Sequence, residues 1–295
     1  MRQGLYTKVA QVVAQELQVD LERIRCTATR TDKVPNTSPT AASSGSDING
    51  MAALAAARKI RQRLTDFAVA HFSVAEAEVV FSANTVSVGA QSFSFAEFAN
   101  LAYMNRVPLS ATGFYKTPKI HYDREQATGR PFYYFANGAA VSEVLVDTLT
   151  GEYRVTRVDI CHDVGRSLNP EQDRGQIEGG FIQGMGWLTS EELAWDDDGR
   201  LLTTGPATYK IPAIGDTPPE FHVELLPDSP NSEATIFRSK AVGEPPLMEA
   251  TSVWCALRDA IASLDNYQST PRLDPPATPE RVLMACEALR RRAES

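Results

Sequence analysis

Residues 132–161 read FYYFANGAAVSEVLVDTLTGEYRVTRVDIC: two long runs, Phe132 to Val146 and Tyr153 to Cys161, on either side of the polar stretch Asp147-Thr148-Leu149-Thr150-Gly151. β-branched and aromatic residues bounded by Asp, Thr and Gly predict two strands joined as a β-hairpin. Just downstream, Asn169-Pro170 opens a helical stretch towards Glu192 that carries glycines at 175, 179, 180, 184 and 186. Each glycine costs a helix roughly 1 kcal/mol relative to alanine. So many of them suggest that another element approaches this backbone closely. A hairpin followed by a helix already makes the order mixed α and β.

The same reading extends outwards. Leu5, Val9, Val12, Val13 and Leu17 recur near a helical period, and the turn Asp20-Leu21-Glu22 leads to a strand-like Ile24 to Thr29. Asp32 to Ser46, DKVPNTSPTAASSGS, is dense in Pro, Ser, Thr, Asn and Gly and reads as a loop. Asp47 offers an N-cap to an Ala-, Leu- and Arg-rich helix from Ile48 to about Leu64. Strands at Glu78 to Phe81 and Thr85 to Phe93 precede a helix at Ser94 to Met104, and residues 113–130 are polar and basic. The last third predicts a strand near Phe221 to Leu226, a loop ending in Gly243-Glu244-Pro245-Pro246, and helices at Glu249 to Leu264 and Pro279 to Arg291.

The 295 residues carry 29 Lys and Arg against 37 Asp and Glu, a formal charge of −8, and 43% are apolar. That composition excludes disorder as the main state. The acidic balance, with scattered basic residues apart from Arg290-Arg291-Arg292, argues against a nucleic-acid partner. Charges such as Arg58, Lys59 and Arg61 interrupt the apolar runs, so no membrane span is expected. Met1 to Leu17 lacks the pattern of a secretory signal, and a cytoplasmic location is the expectation. Cys26, Cys161, Cys255 and Cys286 lie far apart without a CxxC pair and are expected to be mostly buried thiols.

Three segments are candidates for chemistry. Residues 34–46, VPNTSPTAASSGS, combine small side chains with a following helix N-terminus, a setting that favours anions. The other reading is a surface loop that caps a helix. In Gly243-Glu244-Pro245-Pro246 a single carboxylate is held between a glycine and two prolines. It reads either as a general base, its pKa raised in an apolar setting, or as a helix-start carboxylate ahead of Pro245. In the glycine-rich run, Gln176 and Gln183 lie two turns apart on one helical face and could reach a polar ring, unless the glycines serve only helix packing. His162 with Asp159 and Asp163 suggests a metal site only weakly, and solvated or turn-forming roles are more usual.

Six stretches carry a resemblance: Gln3-Gly4-Leu5-Tyr6-Thr7-Lys8, VPNTSPTAAS at 34–43, LSATGFY at 109–115, DVGRSLNP at 163–170, GQIEG at 175–179 and KAVGEPPL at 240–247. Together and in this order they resemble the molybdenum-binding large subunit of the xanthine dehydrogenase and aldehyde oxidase family, most like bacterial xanthine dehydrogenase. The likeness covers nearly the whole chain but only the C-terminal part of that subunit, and Arg2 stands where the family has glycine.

The resemblance implies an α+β fold of mixed sheets with packed helices. It divides the chain into a first molybdopterin-binding subdomain over 1–106 and a second, carrying the catalytic glutamate, over 107–295. It implies that Gln3, Gly4, Thr40, Ala42, Ser43, Ser44 and Gln176 contact a molybdenum–molybdopterin cofactor. Glu244 matches the family's catalytic glutamate, the base for hydroxylation of a purine such as hypoxanthine or xanthine. No side chain here is expected to ligate the metal directly. The implied partners are a purine substrate, the N-terminal half of the molybdenum subunit, which would cover apolar surface exposed on this chain, and a subunit carrying FAD and iron–sulfur clusters, in an oligomer. The alternatives are a truncated relative acting as a scaffold or assembly protein without cofactor, and a hydrolase using Glu244 as a simple acid or base.

Overall fold

Apolar residues at positions 54, 57, 64 and 68 fall on one stripe of a helix, and this stripe organises the first half of the chain. The computed structural model describes residues 4–28, 30–32, 40 and 43–293. Contacts group the chain into two units, residues 1–135 with 230–241, and residues 136–229 with 242–295. The division implied near residue 106 falls inside the first unit. There Val107 and Leu109 pack against the same core as Leu64 and Phe98, and Arg63 donates to the Pro108 and Ser110 carbonyls.

In the first unit, helix α1 (Leu5–Leu17) packs on α2 (Gly45–Phe72). Strands β1 (Val79–Ser82), β2 (Thr85–Val88) and β3 (Gln91–Ser94) form an antiparallel meander. The expected strand Thr85 to Phe93 is thus broken in two, because Gly89 turns the chain with φ 58°. Helix α3 (Phe95–Met104) starts with a capping box: Ser94 Oγ accepts from Glu97 N, and the Glu97 carboxylate accepts from Ser94 N. Its Phe98 and Ala102 meet Leu64, Ala68, Phe81, Val86 and Val88 in a core where Phe98 alone gains about 2–3 kcal/mol from burial.

Two expectations fail in this unit. Residues 24–28 form no strand, since a strand needs a ladder partner and no described residue supplies one. Conversely, β4 (His121–Asp123) and β5 (Thr128–Arg130) form a hairpin that the polar, basic stretch 113–130 did not announce. Its strands are three residues long and almost wholly exposed, so they carry no apolar alternation. Charge holds them instead: Glu233 accepts from Lys119 at 2.7 Å and from Arg130 at 2.6 Å.

In the second unit, β6 (Gly138–Val146) and β7 (Tyr153–His162) form the predicted hairpin, with a register shift between Glu143 and Val144. Strand β8 (Glu220–Leu225) lies parallel to β7, giving a mixed sheet in the order β6-β7-β8. Helix α4 (Pro170–Thr189) is capped by the Asn169 side chain and has proline in its first turn. It packs with α5 (Thr251–Ala262) and α6 (Pro279–Ala293) around Val158, Ile160, Ile177, Phe181, Leu257, Ile261 and Leu289. Helices packed on small antiparallel and mixed sheets make the chain α+β, as expected.

Candidate functional site

Helix α2 starts where the Pro- and Ser-rich stretch ends, at Ser44 rather than at the expected Asp47. Ser44 makes no side-chain capping bond to the first turn. Ser43 is 3% exposed and sits at φ 54°, a left-handed backbone that costs a non-glycine residue of order 1–3 kcal/mol. Gly4, the N-cap of α1, also adopts a left-handed conformation. A Cβ at Gly45 would lie 2.8 Å from Leu5 Cδ2 and 2.9 Å from Thr40 Oγ1. Only glycine at 45 therefore lets the start of α1 and Thr40 close over the start of α2. Gln3 and Ala42, the other two residues expected there, lie outside the described residues.

Asp47 lies inside the first turn of α2. Its side chain accepts a hydrogen bond from the Tyr134 hydroxyl, which in turn accepts from the Ala241 N–H at 2.8 Å. Burial pushes the Asp47 carboxyl up to about 6, with Tyr134 and the Ile236 backbone offsetting part of the rise. Burial, and then the neighbouring Asp47 charge, push the Tyr134 phenol well above its usual range, so it keeps its proton and donates it in the bond to Asp47. The pair anchors the first turn of α2 beneath the loop that carries Ser43 and Ser44.

In the second unit the glycine-rich run does what close packing requires. Gly180 brings α4 against the 3₁₀ turn Pro245–Ala250, where an added Cβ would lie 3.1 Å from Pro246 Cβ. At Gly184 a Cβ would overlap the Leu247 carbonyl oxygen. Gly175 and Gly179 face open space, so packing accounts for only part of the run. Gln176, between them, is half-buried, whereas Gln183 is exposed.

Glu244 caps that 3₁₀ turn through its backbone: its carbonyl accepts from Leu247 N at 3.1 Å, and Pro245 follows in the first turn. Its side chain makes no capping bond. The helix-start geometry is therefore present while the carboxylate is left for other work. The apolar surroundings expected around it are not supplied here, because Glu244 is exposed between buried Gly243 and half-buried Pro245.

The weak metal reading at 159–163 dissolves. Asp159 pairs with Arg157 at 2.6 Å, Asp163 accepts from Gly165 N, and His162 is buried against Glu249. Neither a solvated nor a turn-forming role fits His162, and its carboxylate partner, 87 positions away, had no signal in the sequence. Among the described residues no three His, Cys, Asp or Glu side chains group as a metal site. Cys26 and Cys255 are exposed and Cys161 is half-buried, which leaves Cys286 as the one buried thiol among the four.

The donors near the start of α2 suit an anionic, hydrogen-bonding group: three hydroxyl residues, Thr40, Ser43 and Ser44, beside a helix N-terminus that Ser44 leaves uncapped by its side chain. The family described as molybdopterin cofactor-binding domain matches residues 1–218. The chain belongs to that family. The chain is 48% identical over 289 residues to a xanthine dehydrogenase/oxidase of Gallus gallus and 46% identical over 292 residues to that of Mus musculus. Each alignment covers 97% of this chain and 20% of the relative, so the chain spans a fifth of the length of these curated relatives. Among solved structures, quinoline 2-oxidoreductase from Pseudomonas putida 86 superposes with a TM-score of 0.80 at 28% identity, over 97% of this chain and 35% of that one. No described helix of the chain is long and apolar enough to cross a membrane.

Proposed function

We propose that this chain forms the C-terminal molybdopterin-binding portion of a xanthine dehydrogenase-type large subunit that hydroxylates purines such as hypoxanthine or xanthine. The observation that carries the reading is the family match over most of the chain; the left-handed Ser43 and the capping-free Glu244 side chain both fall in the quoted motif stretches. Gly4, Thr40, Ser43 and Ser44 bind and orient the pterin, with Gln3 and Ala42 completing that set, and Gln176 adds a further contact. When bound, the molybdenum–pterin group supplies the redox chemistry of oxygen insertion. Glu244 takes up a proton on its carboxylate as the general base. Its backbone, fixed by the Leu247 bond and Pro245, holds that carboxylate in place with little rotational freedom left in the main chain. Electrons leave through FAD and iron–sulfur domains or subunits, and the working assembly is a cytoplasmic oligomer active in purine breakdown.

The experiment is molybdenum and pterin content per chain, together with purine turnover in the assembled enzyme carrying Glu244→Gln. Near-stoichiometric cofactor with turnover lowered by several orders of magnitude supports the reading. Near-normal turnover of the variant removes Glu244 from its role. Absence of cofactor from the assembled enzyme favours a scaffold or assembly protein.

A further inference from the structure

The groove between β6 and α5 in the second unit is not used by the function proposed above. Strand β6 is an outer strand of its sheet, and none of its nine residues is fully buried. Edge strands are usually blunted by lysine, proline or a covering element. The sequence of β6, GAAVSEVLV, has neither residue, and it carries only a register shift and the single charge of Glu143 against edge pairing. Among the described residues no backbone bond outside the sheet engages Ala139–Leu145. A groove of about 1150 Å³ runs along this edge, lined by the consecutive residues 140–144 and by α5. Ser142 Oγ and Ser252 Oγ, 2.7 Å apart, tie the strand to the helix.

Two further observations define the chemistry of the occupant. The lining holds the carboxylates of Glu143, Glu249 and Asp259 and no lysine or arginine. At one end, His162 Nδ1 lies 2.6 Å from Glu249 Oε1, with the two side chains only 2% and 7% exposed. His162 Nε2 and Glu249 Oε2 are buried and have no hydrogen-bond partner among the described residues. Of the two orphan atoms, the Glu249 carboxylate oxygen accepts and does not donate. Buried acceptors call for a donor, and the ammonium of lysine or the guanidinium of arginine donates without accepting. A second copy of β6 offers neither group.

We propose that this groove binds an extended, basic polypeptide segment that pairs with the free edge of β6 and sets a Lys or Arg side chain against Glu249 and His162. Backbone pairing supplies affinity, and the acidic lining selects the partner. The test uses the full 295-residue chain and a fluorescein-labelled eight-residue peptide of alternating Lys and Thr, read by anisotropy at low salt, with hydrogen exchange locating the contact. The expected result is saturable, salt-sensitive binding, protection of residues 138–146, and a loss of affinity of about tenfold or more in Glu249→Gln. An Asp259→Asn variant, altered at an exposed position, gives a smaller loss should Glu249→Gln fail to fold. The matching Glu–Thr peptide, and a Lys–Thr peptide N-methylated at alternate residues, are expected not to bind. Absence of Lys–Thr binding, binding without protection of β6, or equal binding of either control peptide overturns the proposal.

Discussion

Replacing Asp47 with Asn should make the first unit more stable, and by an amount that grows with pH. The folded carboxyl titrates at about 6 against 3.8 in the free chain, because burial disfavours its charge. The folded state therefore keeps this proton longer than the unfolded one. The stability contributed by Asp47 is greatest below 3.8 and is lost as pH rises to about 6. Linkage puts the cost of the ionised carboxylate at about 3 kcal/mol at pH 7.5 and about 1 kcal/mol at pH 4.5. Asparagine never ionises, yet its carbonyl can still accept from the Tyr134 hydroxyl. The advantage of Asp47→Asn over the parent should thus rise by about 2 kcal/mol between pH 4.5 and pH 7.5. Urea unfolding followed by hydrogen exchange of α2 measures this directly. Trp187, Trp195 and Trp254 all lie in the second unit, so their fluorescence is an internal control that should not move. A stability difference that is flat with pH, or that shrinks as pH rises, refutes the assignment of burial as the dominant influence on Asp47.

Three further outcomes follow from the packing and the charges. Gly184→Ala should destabilise the second unit by about 1–3 kcal/mol through overpacking on Leu247, whereas Gly179→Ala, facing open space, should stabilise α4 by up to about 1 kcal/mol; tryptophan-monitored urea midpoints distinguish them. Glu233→Gln should weaken the first unit at neutral pH. Lys119, and then Arg130, hold the Glu233 carboxyl below its usual range, so the contribution is present above the free-chain value of 4.5 and disappears as pH falls through the folded one. Parent and variant stability curves should therefore converge in acid. Ser94→Ala should cost α3 about 1 kcal/mol by removing the Ser94 hydroxyl from its capping box, measurable as earlier exchange of the Glu97 amide.

Local patterns carried most of the elements into the sequence reading. The β6–β7 hairpin, the Asn169-Pro170 start of α4 and the Ser94 start of α3 each rest on a few neighbouring residues, and each formed there, although β6 begins at Gly138 and not at the expected Phe132. What stayed hidden depends on residues far apart in sequence. Asp47 reads as a cap, but Tyr134, 87 positions away, makes it a buried carboxylate inside the helix. Nothing near Ile24 shows that its strand lacks a neighbour, and nothing near His162 points to Glu249. The glycines of α4 were legible as a demand for close approach, but only the structure separates Gly180 and Gly184, which meet the Pro245–Ala250 turn, from Gly175 and Gly179, which meet nothing. For Glu244 the backbone constraint was legible from its flanking glycine and prolines, whereas its exposure was not.

The first unit takes its last piece, residues 230–241, from beyond a long excursion of the chain through the second. During synthesis, the Ile236 segment that fills the space over Gly50, and the Ala241 amide that Tyr134 awaits, leave the ribosome only after all of 136–229. The helix pair α1–α2 is thus synthesised well before the last segment of its own unit, with most of its neighbour translated in between. For the same reason no single cut in the polypeptide can release both units whole, and a chain meant to carry either one alone has to be spliced across an excised segment, 135 to 230 or 229 to 242, rather than trimmed.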